Sequence, residues 1–217
     1  MLKDLFDYFR MKYYHYKGIT CMMKGKYQKA YNWMQKVLMI ANTTVHQYDM
    51  GIILLSLLKY EDAASYLHKV LSAVPDNEMA LLAYAQTQLM LRNWDEAMQC
   101  YRKLSEQHPT NISYQKYLVM IEDPIQREKN VCAKELVNQA QAEVENRHLI
   151  EALEHLKEAE SFDPSNPQIP NNIGAILISL ERPYEEILSY FEKALSLDPE
   201  NERIKRNIIF LRHKLKK

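Results

Sequence analysis

Apolar residues recur at helical spacing along nearly the whole chain, in short runs separated by polar breaks. The stretch 81–109 shows the pattern most plainly. Leu82, Ala85, Leu89 and Met90 fall on one helical face. Arg92, Asn93, Trp94 and Asp95 interrupt it. Ala97, Met98, Tyr101 and Leu104 then form a second apolar stripe, and Pro109 stops it. The pattern predicts two amphipathic helices joined by a tight turn. Such a pair leaves apolar surface uncovered, so it needs neighbours of the same kind.

The chain supplies them by repetition. Ala63 and Ala97 are 34 residues apart, as are Pro75 and Pro109, and Gly51 and Ala85. Ala152, Ala159 and Pro164 restate the pattern in the second half, and Ala194 and Pro199 restate it 35 residues later. A small residue sits in each first helix: Gly18, Gly51, Ala85, Ala140 and Gly174. A large residue opens each second helix: Tyr27, Tyr60, Trp94, Leu149 and Tyr184. Ala30, Ala63, Ala97 and Ala152 come next, then Met34, Leu67, Tyr101, Leu156 and Phe191. A helix-turn-helix period near 34 marks a stacked array. In these positions the chain resembles the tetratricopeptide repeat (TPR) family, with Asn42 replacing a proline and Ile187 an alanine. The resemblance implies an all-α superhelical solenoid with N- and C-terminal capping helices.

From the N-terminus, residues 1 to about 10 predict a short amphipathic helix, with Leu2, Leu5, Phe6 and Phe9 on one face. It either caps the first repeat or docks on a partner. Three repeats occupy 11–43, 44–77 and 78–111, and 112–122 begins a fourth. Asp123-Pro124 breaks that helix. One long polar helix is expected from Ile125 to about Asn146, and its latter part opens the next repeat. The two halves are therefore offset by 55 rather than by a whole number of repeats. This places a junction between an N-terminal block, 1–122, and a C-terminal block, 123–217, with a hinge as the expected consequence. The C-terminal block holds two repeats and a final helix from Glu202 to about Leu215. Ile204, Ile208, Leu211 and Leu215 share one face of that helix. Arg203, Lys205, Arg206, Arg212, Lys214, Lys216 and Lys217 make the other basic. It serves as a cap, or as a tail for acidic partners or anionic lipid.

Composition narrows the function classes. Hydrophobic residues make up 47% of the 217, enough for a sizeable core. Only four glycines are present, little material for a phosphate-cradling loop. No P-loop, GxGxxG, GxSxG or HExxH occurs. The seven histidines are scattered, and Cys21, Cys100 and Cys132 show no CxxC spacing, so no metal or cofactor is expected. The thiols read as buried and reduced. Net charge is zero, so no nucleic-acid partner is expected. The first block carries 14 Lys and Arg against 11 Asp and Glu, the second 14 against 17. No run is long enough to span a bilayer, and 1–14 lacks a signal-peptide core. The expectation is a cytoplasmic, non-enzymatic protein, with peripheral membrane association left open.

In TPR proteins the first helices line a concave groove that holds a partner segment. Carrying that register over gives His15, Tyr16, Ile19 and Met22 from the first repeat. The second contributes Tyr48, Ile52 and Leu55, and the third Met79, Leu82, Gln86 and Leu89. This lining is apolar, aromatic and Met-rich, suited to an apolar or amphipathic protein segment. A second copy, or the chain's own first helix, would also fit. The second block gives a polar lining of Lys134, Asn138, Gln141, Glu145, Asn172 and Arg203. Some TPR proteins grip a peptide C-terminal carboxylate this way. Asn172 and Arg203 match that clamp, but Val137 stands where its first lysine should be. The stretches YYHYKGITCMMKGKYQKAY and VLSAVPDN are similar to the magnetosome-associated MamA family, which implies a self-assembling scaffold around an organelle membrane. Type III secretion chaperones share the repeat type and imply a client protein instead. The function expected is a protein-binding scaffold or adaptor.

Overall fold

A computed structural model describes residues 2–215, without the side chains of Leu2, Lys214 and Leu215. The expectations for the apolar faces at Leu2 and Leu215, and for the basic face at Lys214, Lys216 and Lys217, lie outside the described residues. Among the described residues there are twelve α-helices and no strand. They divide into two compact units, Met1–Asp123 and Pro124–Lys217. No helix is long and apolar enough to cross a membrane.

The first unit holds α1 (Leu2–Met23), α2 (Tyr27–Leu38), α3 (Thr44–Ser56), α4 (Tyr60–Ala73), α5 (Glu78–Met90), α6 (Trp94–Gln107) and α7 (Ile112–Glu122). Within this unit each helix packs on its neighbours in sequence, from α1 on α2 to α6 on α7. Ala30, Met34, Ile53, Leu54 and Ala63 form one core, and Ala85, Leu89, Ala97, Tyr101, Leu104 and Ile121 a second. The second unit holds α8 (Pro124–Glu145), α9 (Leu149–Phe162), α10 (Gln168–Ser179), α11 (Tyr184–Leu197) and α12 (Glu202–Leu215), again packed in succession. Its core joins Ala152, Leu156, Ile173, Leu177, Phe191 and Ile208.

Local chemistry sets the ends. The Asn77 side chain accepts from the Ala80 amide at 2.9 Å and Asn111 from Ser113 at 3.1 Å, satisfying amides that a helix start leaves unpaired. Thr43 does the same for His46. The turn inside each repeat places one residue in the left-handed region: Gly25, Leu58, Arg92, Arg147 and Glu181, with φ of 68°, 59°, 58°, 65° and 53°. The residue after it then reaches back to the helix, as Lys59 N–H does to Leu54 O at 2.9 Å. Only one of the five is a glycine, so four turns hold a Cβ in a disfavoured conformation.

The N-terminal helix differs from expectation. Residues 2–10 are not a separate cap but the start of the 22-residue α1. No glycine, proline or capping residue separates them from Met11 and the first repeat. At ~1.5 Å per residue α1 far outruns the 12-residue α2 beside it. Leu5, Phe6 and Phe9 therefore stay 53%, 64% and 60% exposed.

Small residues in first helices let the second helices approach. A Cβ built on Gly51 would stand 2.8 Å from Leu67 Cγ, and one on Gly174 2.9 Å from Phe191 Cε1. A Cβ on Gly18 would meet nothing closer than Met34 Cε at 3.5 Å. Helix propensity favours alanine over glycine by ~1 kcal/mol, whereas overpacking costs about 1–3 kcal/mol. Gly18→Ala should therefore raise the urea midpoint, while Gly51→Ala should leave it unchanged or lower it. A larger rise for Gly51→Ala than for Gly18→Ala would contradict the packing described.

Candidate partner-binding surfaces

In the first unit the candidate residues fall on α1, α3 and α5. His15 Nε2 lies 2.8 Å from Asp49 Oδ2, tying α1 to α3 across one full repeat. Its ring centroid is 5.2 Å from that of His46. His46 Nδ1 sits 2.7 Å from the Ala41 carbonyl. A carbonyl only accepts, so that nitrogen carries a proton. Asp49 was not among the expected lining residues. The 34-residue step from His15 to Asp49, equal to the repeat, was the available signal.

The exposed apolar surface of these helices is uneven. Tyr16 is 65% and Met79 63% exposed. Tyr48, Ile52 and Gln86 are half-buried. Burial, and next the Asp49 carboxylate, pushes the Tyr48 hydroxyl above its usual range. Ile19, Met22 and Leu55 pack partly against the first core and Leu82 against the second. Leu89 corrects the sequence reading: it is fully buried in the second core and presents no surface to a partner. The cause is the position of α5, which packs against α4, α6 and α3, so that an apolar residue on most of its sides is enclosed.

In the second unit Gln141, Asn172 and Arg203 come together around a cavity of about 240 Å³. Its walls are mostly apolar: Val137, Ala140 and Val144 of α8, Leu149 and Leu156 of α9, Ala175 and Ile176 of α10. Ser179 completes it. Lys134, Asn138 and Glu145 lie on α8 but do not line it. Loss of water pulls the Lys134 ammonium down to about 8, with Asp163 opposing that shift. Of the apolar walls, Ala140, Leu149 and Leu156 were read as packing positions and Val137 as standing at the clamp's lysine position, while Val144, Ala175 and Ile176 were given no role. The signal was the small Ala175, one residue after Gly174, where the first unit carries Ile52 after Gly51 and Gln86 after Ala85.

Among the described residues no group of His, Cys, Asp and Glu is arranged to hold a metal ion. The three cysteines are free and half-buried. Burial raises the Cys100 thiol to about 11.

Models of the tetratricopeptide repeat match residues 54–119 and 171–201. No curated protein matches the chain. Among solved structures, MamA from Desulfovibrio magneticus RS-1 aligns over 89% of this chain and 97% of its own, at 18% identity and a TM-score of 0.46. MamA AMB-1 aligns over 89% and 94%, at 21% identity and a TM-score of 0.45. The TPR domain of P58(IPK) aligns over 95% of this chain and 65% of its own, at 16% identity and a TM-score of 0.48.

Proposed function

We propose that this chain, a helical solenoid carrying tetratricopeptide repeats, is a non-enzymatic adaptor that takes an apolar or amphipathic segment of a partner protein on the first helices of its N-terminal unit. Repeats of this kind bind proteins or peptides, and the fold supports an interaction scaffold. The observation that carries the finer reading is large apolar side chains left open on α1 and α5. Tyr16 and Met79 are both more than half exposed. Part-buried Tyr48 and Ile52 lie on α3 and Leu82 on α5. Rigid aromatic and flexible thioether side chains together give contact area at modest ordering cost.

Tyr48 and Leu82 supply the test. Both are part-exposed, so replacing them by alanine trims the surface without emptying a core. A buried aromatic anchor is worth about 2 kcal/mol or more, roughly a 30-fold change in affinity. A partner recovered by cross-linking from native cells should therefore bind the Tyr48→Ala, Leu82→Ala chain at least about 30-fold more weakly, with helicity unchanged. Equal affinity would remove the apolar-groove reading.

A further inference from the structure

The cavity of the second unit has a chemistry of its own. Its walls come from four helices of that unit. At about 240 Å³ it exceeds the ~150 Å³ apolar cavity that holds a benzene ring. A bulky aromatic side chain fits that space. Arg203 is the one cation among the lining residues, and no carboxylate lines the cavity. Among the described residues no acidic side chain pairs with its guanidinium. Gln141 donates to Glu145, which lies outside the lining, at 3.5 Å. Half-buried Asn172 and exposed Ser179 add neutral polar groups.

We infer that this cavity is a second, independent peptide site, which takes a large apolar side chain of a partner protein with an Asp or Glu side chain beside it paired to Arg203. The apolar walls gain from excluding water around the anchor. The guanidinium is pre-formed for a carboxylate and selects against a basic neighbour. A single cation suits a single carboxylate. Val137 lines the cavity as an apolar wall, so a terminal carboxylate together with an acidic side chain would leave one anionic group without a cation. The occupant proposed is an internal acidic-apolar motif; a chain ending in an apolar residue, whose single terminal carboxylate would also suit Arg203, is the outcome the capped peptide tests against.

The test pans random peptides, displayed on phage through their C-terminal ends, against the full chain and against its Ala175→Leu variant. Ala175 is exposed, so the added side chain grows into the cavity without disturbing the core. Should Ala175→Leu lose helicity, Ser179→Met, also at an exposed position, replaces it. The expected result is enrichment of peptides with Phe, Trp or Leu next to Asp or Glu, absent with the filled cavity. A synthetic copy of the leading peptide, capped at both ends, should bind at least about tenfold more weakly to Ala175→Leu and to Arg203→Glu. It should bind the Tyr48→Ala, Leu82→Ala chain unchanged, which separates this site from the groove of the first unit. Four results would overturn the inference: no enrichment over the filled variant, enrichment without an acidic residue, equal affinity for Arg203→Glu, or binding only to a peptide with a free C-terminal carboxylate.

Discussion

Ala97→Glu is expected to abolish the cooperative unfolding of the α5–α7 region. Ala97 is fully buried in the core that also holds Ala85, Leu89, Tyr101 and Leu104. Glutamate there places a carboxylate among apolar neighbours, which costs several kcal/mol, and its bulk also pushes the helices apart, which adds about 1–3 kcal/mol. The sum rivals the whole stability of an ordinary domain, ~5–15 kcal/mol. A solenoid transmits such damage only to adjoining helices. Amide exchange should therefore lose protection across α5, α6 and α7 while α9, α10 and α11, whose core is separate, keep theirs. Wild-type protection in α6 would contradict the packing.

The second large effect concerns Tyr101. Its ring is fully buried and stacks on Tyr117, with centroids 4.7 Å apart and planes 8° from parallel. Its hydroxyl is buried with no hydrogen-bond partner among the described residues. Burial, and after it Tyr117, pushes that phenol well above its usual range. Tyr101→Ala should cost about 3–5 kcal/mol through the cavity it leaves. Tyr101→Phe keeps the ring and removes the unpartnered oxygen. It should cost nothing, or stabilise by about 1 kcal/mol, because a buried polar group without a partner is a net penalty. Urea unfolding of both variants checks the pair. A Phe variant as unstable as the Ala variant would mean the hydroxyl is satisfied in solution.

The repeat architecture was legible because its determinants are local and periodic. The spacing of Ala63, Ala97, Pro75 and Pro109 encodes helix contacts directly, and Pro124 marks the start of α8 as a proline in a first turn should. The candidate surfaces were less legible. Periodicity assigns one face per helix, so it could not show that α5 is enclosed on several sides and that Leu89 is core. The cavity of the second unit arises from what is missing at Ala175, and a small residue on a helix reads as helix propensity or packing until its neighbours are seen. The continuity of α1 was hidden by its amphipathic start, since an apolar stripe at Leu5, Phe6 and Phe9 predicts a covered face that α2 is too short to provide.

Packing of each helix on its sequence neighbours also governs how the fold can be made. The first core, from α1 to α4, is complete before residue 74, and the contacts of α3 and α4 with α5 are added later. A chain emerging from the ribosome can bury its first core while its C-terminal part is still being synthesised. Loop-closure entropy stays small at every step, because each new hairpin docks on one already in place. Synthesis order and assembly order then coincide, and the growing end always presents one uncovered helix face to the next pair.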